Sequence, residues 1–356
     1  MHAFRTTRSR VAAVILGSTV LLAALAPVGV HAGEPPACEI RNLTTPAGVL
    51  SDLATAVGAA DAGETIQLRG TCAVPAPVLL DEPLTIVGKK TAALGAPTLT
   101  TTAAGHRILD IGLSGSSKTV TIRSLRLTGS QSPSTAGAIN VISGTLVLRD
   151  VRIDDVEATG GVASGGAIYL DGGTSLVMAG TTSIRNARAA WGGGVYVEAT
   201  ARLTMRDRAS IAYSHAVSGG GAIAGDDGAP GSIITLRDDA SLHHNSTDGY
   251  GAAMNTGGTI VLRDRATIRD NDGTSATGNL DAYGSAVEIW SYDTTVTRLT
   301  LRDDAAIRGN DALAGGGGLV IWTACGDNVP IVKGARGRVT GNAPANVVRL
   351  TSDANC

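Results

Sequence analysis

The chain has 356 residues, with 29 Lys and Arg against 31 Asp and Glu, a formal charge of −2 and only 3% aromatic residues. That balance argues against a nucleic-acid partner, which calls for a basic surplus. One Phe among 356 residues excludes a core built on large rings, so Leu, Ile, Val and Ala have to fill it.

Arg5, Arg8 and Arg10 precede an apolar run from Val11 to Val30 that ends in the small residues around Ala32. This is the pattern of a secretory leader, 1–32, with a mature domain over 33–356. No later stretch is apolar enough for a transmembrane helix. The expected location is extracellular or loosely cell-surface associated. Removing the leader takes three basic residues and no acid, which enlarges the acidic excess. Four cysteines stand at 38, 72, 325 and 356. In a secreted chain the local pairings Cys38–Cys72 and Cys325–Cys356 are favoured, although four cysteines allow three connectivities. Zinc is the weaker alternative, because neither pair has ligand spacing.

Next, LSDLATAVGAADAGETIQL places Leu50, Leu53 and Val57 on one helical face, followed by a stop at Asp61-Ala62-Gly63 and a strand from Thr65 to Leu68. A short helix there would cover the open edge of whatever follows. TIQL, LTIVG, RILDI and VTIRSLRLTG continue the strand pattern without a linker.

From Met205 onward one unit recurs: MRDRASIAYS at 205, LRDDASLHHN at 236, LRDRATIRDN at 262 and LRDDAAIRGN at 301. Apolar residues two apart on both sides of an Arg-Asp corner predict two short strands per copy. A Gly-rich bend and a β-branched run follow, as in GGAIYL at 165, GGGVYV at 192 and GGGLVI at 316, giving a third strand. The inward aliphatics Ile153, Ile184, Ile211, Leu242, Ile268, Ile307 and Val339 lie 31, 27, 31, 26, 39 and 32 residues apart. Such variation suits an all-β parallel β-helix of roughly ten coils, in which loops vary while strands keep register. Asn245, Asn271, Asn310 and Asn342 each follow an inward aliphatic by three residues and predict an amide ladder, with Ser214 as a gap. Asn42 and Asn245 head Asn-x-Ser/Thr sequons, the second of which the ladder would hide.

These features resemble right-handed parallel β-helix proteins of the pectate-lyase-like superfamily. The GGAI and IxxN elements are similar to the repeats of polymorphic outer-membrane proteins, over about residues 120 to 342, and the opening from 38 to 72 is similar to secreted bacterial β-helix proteins. Unlike the polymorphic proteins, the chain uses Ile, Leu or Val where they favour Phe, and Cys356 follows with no barrel.

Many relatives on this fold degrade acidic polysaccharides. A lyase needs clustered carboxylates for calcium and a base, and Asp226-Asp227, Asp270, Asp272, Asp281 and Asp293 are the available acids. Calcium enters only under this alternative. A hydrolase of the polygalacturonase kind would show Gly-His-Gly and Arg-x-Lys, which are missing here. No residue is therefore assigned a catalytic role. The Arg-Asp pairs 149/150, 206/207, 237/238, 263/264 and 302/303 read as scaffold, with Arg expected to meet the corner Asp of a neighbouring coil. Trp191, Tyr250 and Tyr283, each just before a Gly-rich bend, are the candidate ligand-binding residues, for a polysaccharide or another cell-surface component. The alternative for them is packing over glycine backbone. His243-His244 is set aside as a metal pair, because strand neighbours point to opposite faces. The expected function is a non-catalytic, adhesin-like or wall-binding β-helix, with a polysaccharide lyase or hydrolase as the alternative.

Overall fold

A computed structural model describes residues 38–351, apart from 46–47, 51, 103, 116, 227–230, 274–284, 292–295, 313–315, 324–328 and 337. The leader at 1–32, Tyr283, Cys325 and Cys356 lie outside the described residues. Within them, no helix is long and apolar enough to cross a membrane.

The chain winds as a right-handed parallel β-helix. One coil shows how the repeat folds. Ile233–Leu236 is the first strand, Ser241–His243 the second, and Met254–Thr256 closes the turn before Thr259–Leu262 begins the next coil. Stacking the closing strands gives a ten-stranded sheet. In the first strand Ile234 and Leu236 point inward, and Ala240 and Leu242 resume that face after the corner; all four are fully buried. The seven inward aliphatics from Ile153 to Val339 pair residue on residue from coil to coil, so the insertions between them are absorbed entirely in loops. The structure adds an element beyond the three strands expected per coil. Two- to five-residue segments such as Ser246–Thr247 and Asp272–Gly273 form a further seven-stranded sheet between the second corner and the Gly-rich bend.

Two corners per coil hold the stack together. The Asp of all five Arg-Asp pairs has a left-handed backbone, with φ of 55° at Asp150, 60° at Asp207, 57° at Asp238, 59° at Asp264 and 52° at Asp303. Asp tolerates this region because its short carboxylate can bond locally. Here the carboxylate also reaches the preceding coil. The backbone N–H of Asp207 donates to Asp238 Oδ2 at 3.0 Å, that of Asp238 to Asp264 Oδ2 at 3.0 Å, and that of Asp264 to Asp303 Oδ2 at 3.2 Å. The expected cross-coil Arg-to-Asp pairing is corrected in two pairs. Arg237 and Arg206 sit on the Asp of their own coil, at 3.3 and 3.7 Å, because that carboxylate is already turned toward the preceding backbone. At this corner a bidentate cross-coil pair comes instead from Arg265, with Asp239 Oδ1 and Oδ2 at 2.6 and 2.7 Å.

At the second corner the amide ladder forms as expected. Asn245 Nδ2 donates to Asn271 Oδ1 at 3.0 Å, Asn271 Nδ2 to Asn310 Oδ1 at 2.8 Å, and Asn310 Nδ2 to Asn342 Oδ1 at 2.8 Å. Each Oδ1 also accepts the backbone N–H of the preceding coil, and Ser214 N joins by donating to Asn245 Oδ1. Asn346 Oδ1 closes the row.

The Gly-rich bends have a steric cause. Gly192 has φ +61°, and a Cβ there would lie 2.4 Å from the Val195 carbonyl oxygen. At the next position, a Cβ on Gly193 would meet the Gly221 carbonyl oxygen of the neighbouring coil at 2.4 Å. One glycine supplies the turn and the next admits the adjacent coil.

At the N-terminal edge the helix spans Leu53–Gly58, with Asp52 as N-cap accepting from Thr55 N at 2.8 Å. Leu50 precedes this cap and bridges Ile40 in antiparallel fashion instead of joining the helix. The sequence reading missed a second covering element, the strand Cys38–Asn42, which pairs antiparallel with Thr65–Val74. The Cys38–Cys72 disulfide ties the two together.

Urea denaturation tests the two corners. Asp264→Asn should change stability by under about 0.5 kcal/mol, because Asn keeps both the left-handed tolerance and an acceptor. Asp264→Ala should cost roughly 1–2 kcal/mol. Asn271→Ala should cost about 3 kcal/mol or more, because it strands the buried backbone and amide donors of Asn245.

Candidate binding face

From Arg126–Thr128 to Ala306–Arg308 the second strand of each coil is three residues long, with its middle side chain inward and the two flanking ones on the other face. Register stacks the outward positions into straight columns. One column runs Ser183, Ser210, Ser241, Thr267. The other runs Arg185, Ala212, His243, Arg269, Arg308, Thr340. Neighbouring members sit one coil apart, about 4.8 Å.

The residue after each position of this second column turns the second corner. Asn186, Tyr213, His244 and Asp270 all have φ between 51° and 55° there, and Gly309 and Gly341 have 65° and 63°. The left-handed turn swings the corner side chains outward. This overturns the reason for setting His243-His244 aside: alternation fails at a left-handed residue, and both rings stand on the outer surface with their Nδ1 atoms 2.9 Å apart. His244 stacks on Tyr213 with centroids 5.0 Å apart, and the Arg185 guanidinium lies 4.9 Å from the centre of the same ring. Tyr213 is 46% exposed. Burial, reinforced by Arg269, His244 and Arg185, pushes the His243 imidazole down to about 4, against the opposing pull of Asp270. Next along the stack, Arg269 Nη1 pairs with Asp270 Oδ2 at 2.6 Å. Beyond it opens a groove of about 480 Å³ lined by Arg269, Asp270, Arg308, Gly309, Thr340 and Gly341.

Of the three aromatics before the Gly-rich bends, Trp191 and Tyr250 are in register, and Tyr283 lies outside the described residues. Trp191 pairs with Gly219, and Gly219 bridges Tyr250, so Trp191 and Tyr250 occupy equivalent positions two coils apart. A Cβ on Gly219 would lie 2.9 Å from Trp191 Cζ3, so this indole covers glycine backbone.

A third cluster decorates the outer face of the ten-stranded sheet. Tyr169 and Tyr196 stack at 5.2 Å with rings 6° from parallel, and the Tyr169 hydroxyl donates to Glu198 Oε1. Arg107 pairs with Asp110 at 2.5 Å. Burial, then the nearby Glu198 and Asp110, raises the Asp171 carboxyl above the ordinary range, with Arg107 opposing. Farther along this sheet Glu288 is 3% exposed, and burial pushes its carboxyl up to about 8. Sequence gave no signal for Glu288, because an acidic residue in a strand normally marks the solvent side.

Of the acids considered for calcium, the three described ones lie on different elements. Asp226 follows a strand of the ten-stranded sheet, Asp270 turns the second corner and Asp272 lies in the seven-stranded sheet; Asp227, Asp281 and Asp293 lie outside the described residues. Among the described residues, no group of three or more His, Cys, Asp or Glu side chains is arranged to hold a metal ion. Asn245, the second sequon, is fully buried, and Asn42 is buried with its Nδ2 donating to Glu64 Oε2 at 2.6 Å.

The chain matches no protein-family model, no curated protein and no solved structure.

Two titrations follow from the shifted groups. His243 binds its proton at lower pH in the folded than in the unfolded chain, so its contribution to stability is present above about 6.5 and is lost as pH falls toward 4. Proton NMR should give a His243 midpoint near 4. Glu288 has the opposite sign: its folded carboxyl holds a proton up to about 8, so stability declines as pH rises from about 4.5 through 8. Glu288→Gln should therefore raise the urea midpoint at pH 8–9 and leave it little changed near pH 4.

Proposed function

We propose that this protein is a secreted or surface-held, non-catalytic β-helix that binds a polysaccharide or another cell-surface component. The observation that carries this reading is the exposed step of Tyr213 and His244 at the second corner, standing beside an open groove. Flat rings held by a rigid backbone suit pyranose faces, and a row of serine and threonine hydroxyls alongside suits sugar hydroxyls. The likeness of the repeats to those of the pectate-lyase-like superfamily and of polymorphic outer-membrane proteins supports an extracellular, adhesin-like role. Trp191, Tyr250 and Tyr283 offer a second aromatic edge for the same polymer. It ranks lower because the Trp191 ring already covers Gly219.

A hydrolase acting on polysaccharide is the second reading, and one observation favours it. Asp171 and Glu198 are neighbouring carboxyls in unlike environments: Asp171 is lifted by burial, while Glu198 accepts from Tyr169 Oη and from Gly172 N at 3.0 Å. Two neighbouring carboxyls, one of them raised, are what acid and base roles require.

Both readings meet in one experiment, in which purified protein is incubated with a panel of immobilised polysaccharides. Binding predicts retention without new reducing ends. Tyr213→Asn with His244→Asn, which keep the left-handed corner and remove the rings, should lower retention several-fold with an unchanged circular dichroism spectrum. New reducing ends that vanish in Asp171→Asn would establish the hydrolase instead.

A further inference from the structure

We propose that the second corner carries a copper(II)-binding site whose protein ligands are the Nδ1 atoms of His243 and His244. The two side chains come from consecutive residues on unlike backbone. His243 ends the strand Ser241–His243, in register with Ala212 on one side and Arg269 on the other. On an extended chain its neighbour would face the opposite way. His244 instead turns the corner at φ 55°, which brings its ring to the same outer surface, at 85° to that of His243 and with the Nδ1 atoms 2.9 Å apart. The turn is fixed from both sides. The backbone N–H of His244 donates to the Asp270 carbonyl oxygen of the next coil at 2.9 Å, and its ring stacks on Tyr213 of the preceding one.

The donor set decides which ions fit. Calcium and magnesium take oxygen ligands, and Asp270, the carboxylate at the next corner position, is already closed on Arg269 at 2.6 Å. Arg269 in the adjoining strand and Arg185 over the Tyr213 ring further oppose an ion held by charge alone. Two neutral imidazoles hold a borderline ion by donating lone pairs, which is the chemistry of copper, nickel and zinc.

Distance then separates these three. A metal–imidazole bond is about 2.0–2.1 Å long, so two of them put their nitrogens about 2.9 Å apart at a right angle and about 3.3 Å apart at a tetrahedral one. The observed 2.9 Å is the right-angled bite of a tetragonal site. That favours copper(II) or nickel(II) over zinc, and copper(II) binds the more tightly of the two at a given set of donors.

In the hydrogen-bonded pair one Nδ1 carries a hydrogen and the other a lone pair. When the metal binds, that hydrogen moves to Nε2 of its own ring, so both Nδ1 atoms offer lone pairs and both rings stay neutral. The ion lies off the line between the nitrogens and each ring tilts toward it; His244 is exposed and His243 half-buried, so the tilt is into solvent. Two protein donors leave the other positions to water, which accords with the lack of any three-ligand group among the described residues. The site goes beyond the polysaccharide reading, since His243 has no part in the ring step assigned to Tyr213 and His244.

Titration of the tag-free protein with copper(II), nickel(II) and zinc tests the site, with calorimetry for affinity and electron paramagnetic resonance for the copper ligands. One copper per chain is expected at micromolar affinity, with coupling to two imidazole nitrogens and with nickel and zinc bound more weakly. His243→Asn and His244→Asn should each weaken copper binding roughly tenfold or more, and Asn at 244 keeps the left-handed corner. His215→Asn should bind as the unaltered chain does. No copper binding, coupling to a single nitrogen, or undiminished affinity in either corner variant overturns the site. Zinc bound as tightly as copper overturns the right-angled geometry on which the choice of metal rests.

Discussion

Every coil of this protein must turn two corners without leaving a buried backbone donor unpaired, and the rest of the structure depends on how that is done. Strands satisfy their own polar groups by stacking, but corners have no ladder of their own. From Asp207 onward the first corner uses an aspartate carboxylate, and from Asn245 onward the second uses an asparagine amide, each lent to the backbone of the coil before it. Left-handed residues mark both turns. Since each corner is completed by its neighbour, no coil is finished until the next is in place, which couples local conformation to the stack.

The same constraint locates the surface chemistry. A left-handed residue at the second corner points its side chain away from the axis, so whatever occupies that position becomes a surface group at one-coil spacing. In most coils this is a small or polar residue, which tolerates the turn cheaply. Tyr213 is a bulky residue in the same conformation, at a cost that an asparagine would avoid. Rigid strands on one side and a packed amide row beneath hold these rings without relying on a flexible loop.

Much of the fold was legible because its signals are periodic. The pairing of inward aliphatics from Ile153 to Val339 could be written down from sequence, since side-chain alternation and the Arg-Asp punctuation fix the register. The buried asparagines were legible for the same reason. Three things were not. The seven-stranded sheet is built from segments mostly two residues long, too short to show alternation. The strand Cys38–Asn42 runs antiparallel at the edge and shares no repeat pattern with the coils. The placing of His243 and His244 went astray because strand alternation was extended one residue past the point where the backbone turns left-handed. The outward columns were hidden for a related reason: Arg185, His243, Arg269 and Arg308 are 58, 26 and 39 residues apart, and only register brings them into line.

Because each coil ends on the same residues with which the next begins, the molecule can be lengthened or shortened by whole units without redesigning a junction. A duplicated coil would insert one more outward cation or hydroxyl at the established interval and extend the face by a single step. On the proposed polymer-binding reading, avidity would then change in increments, as the number of simultaneous contacts rather than the quality of any one. For such an architecture, length is added in whole coils, and each added coil carries its outward positions to the same interval.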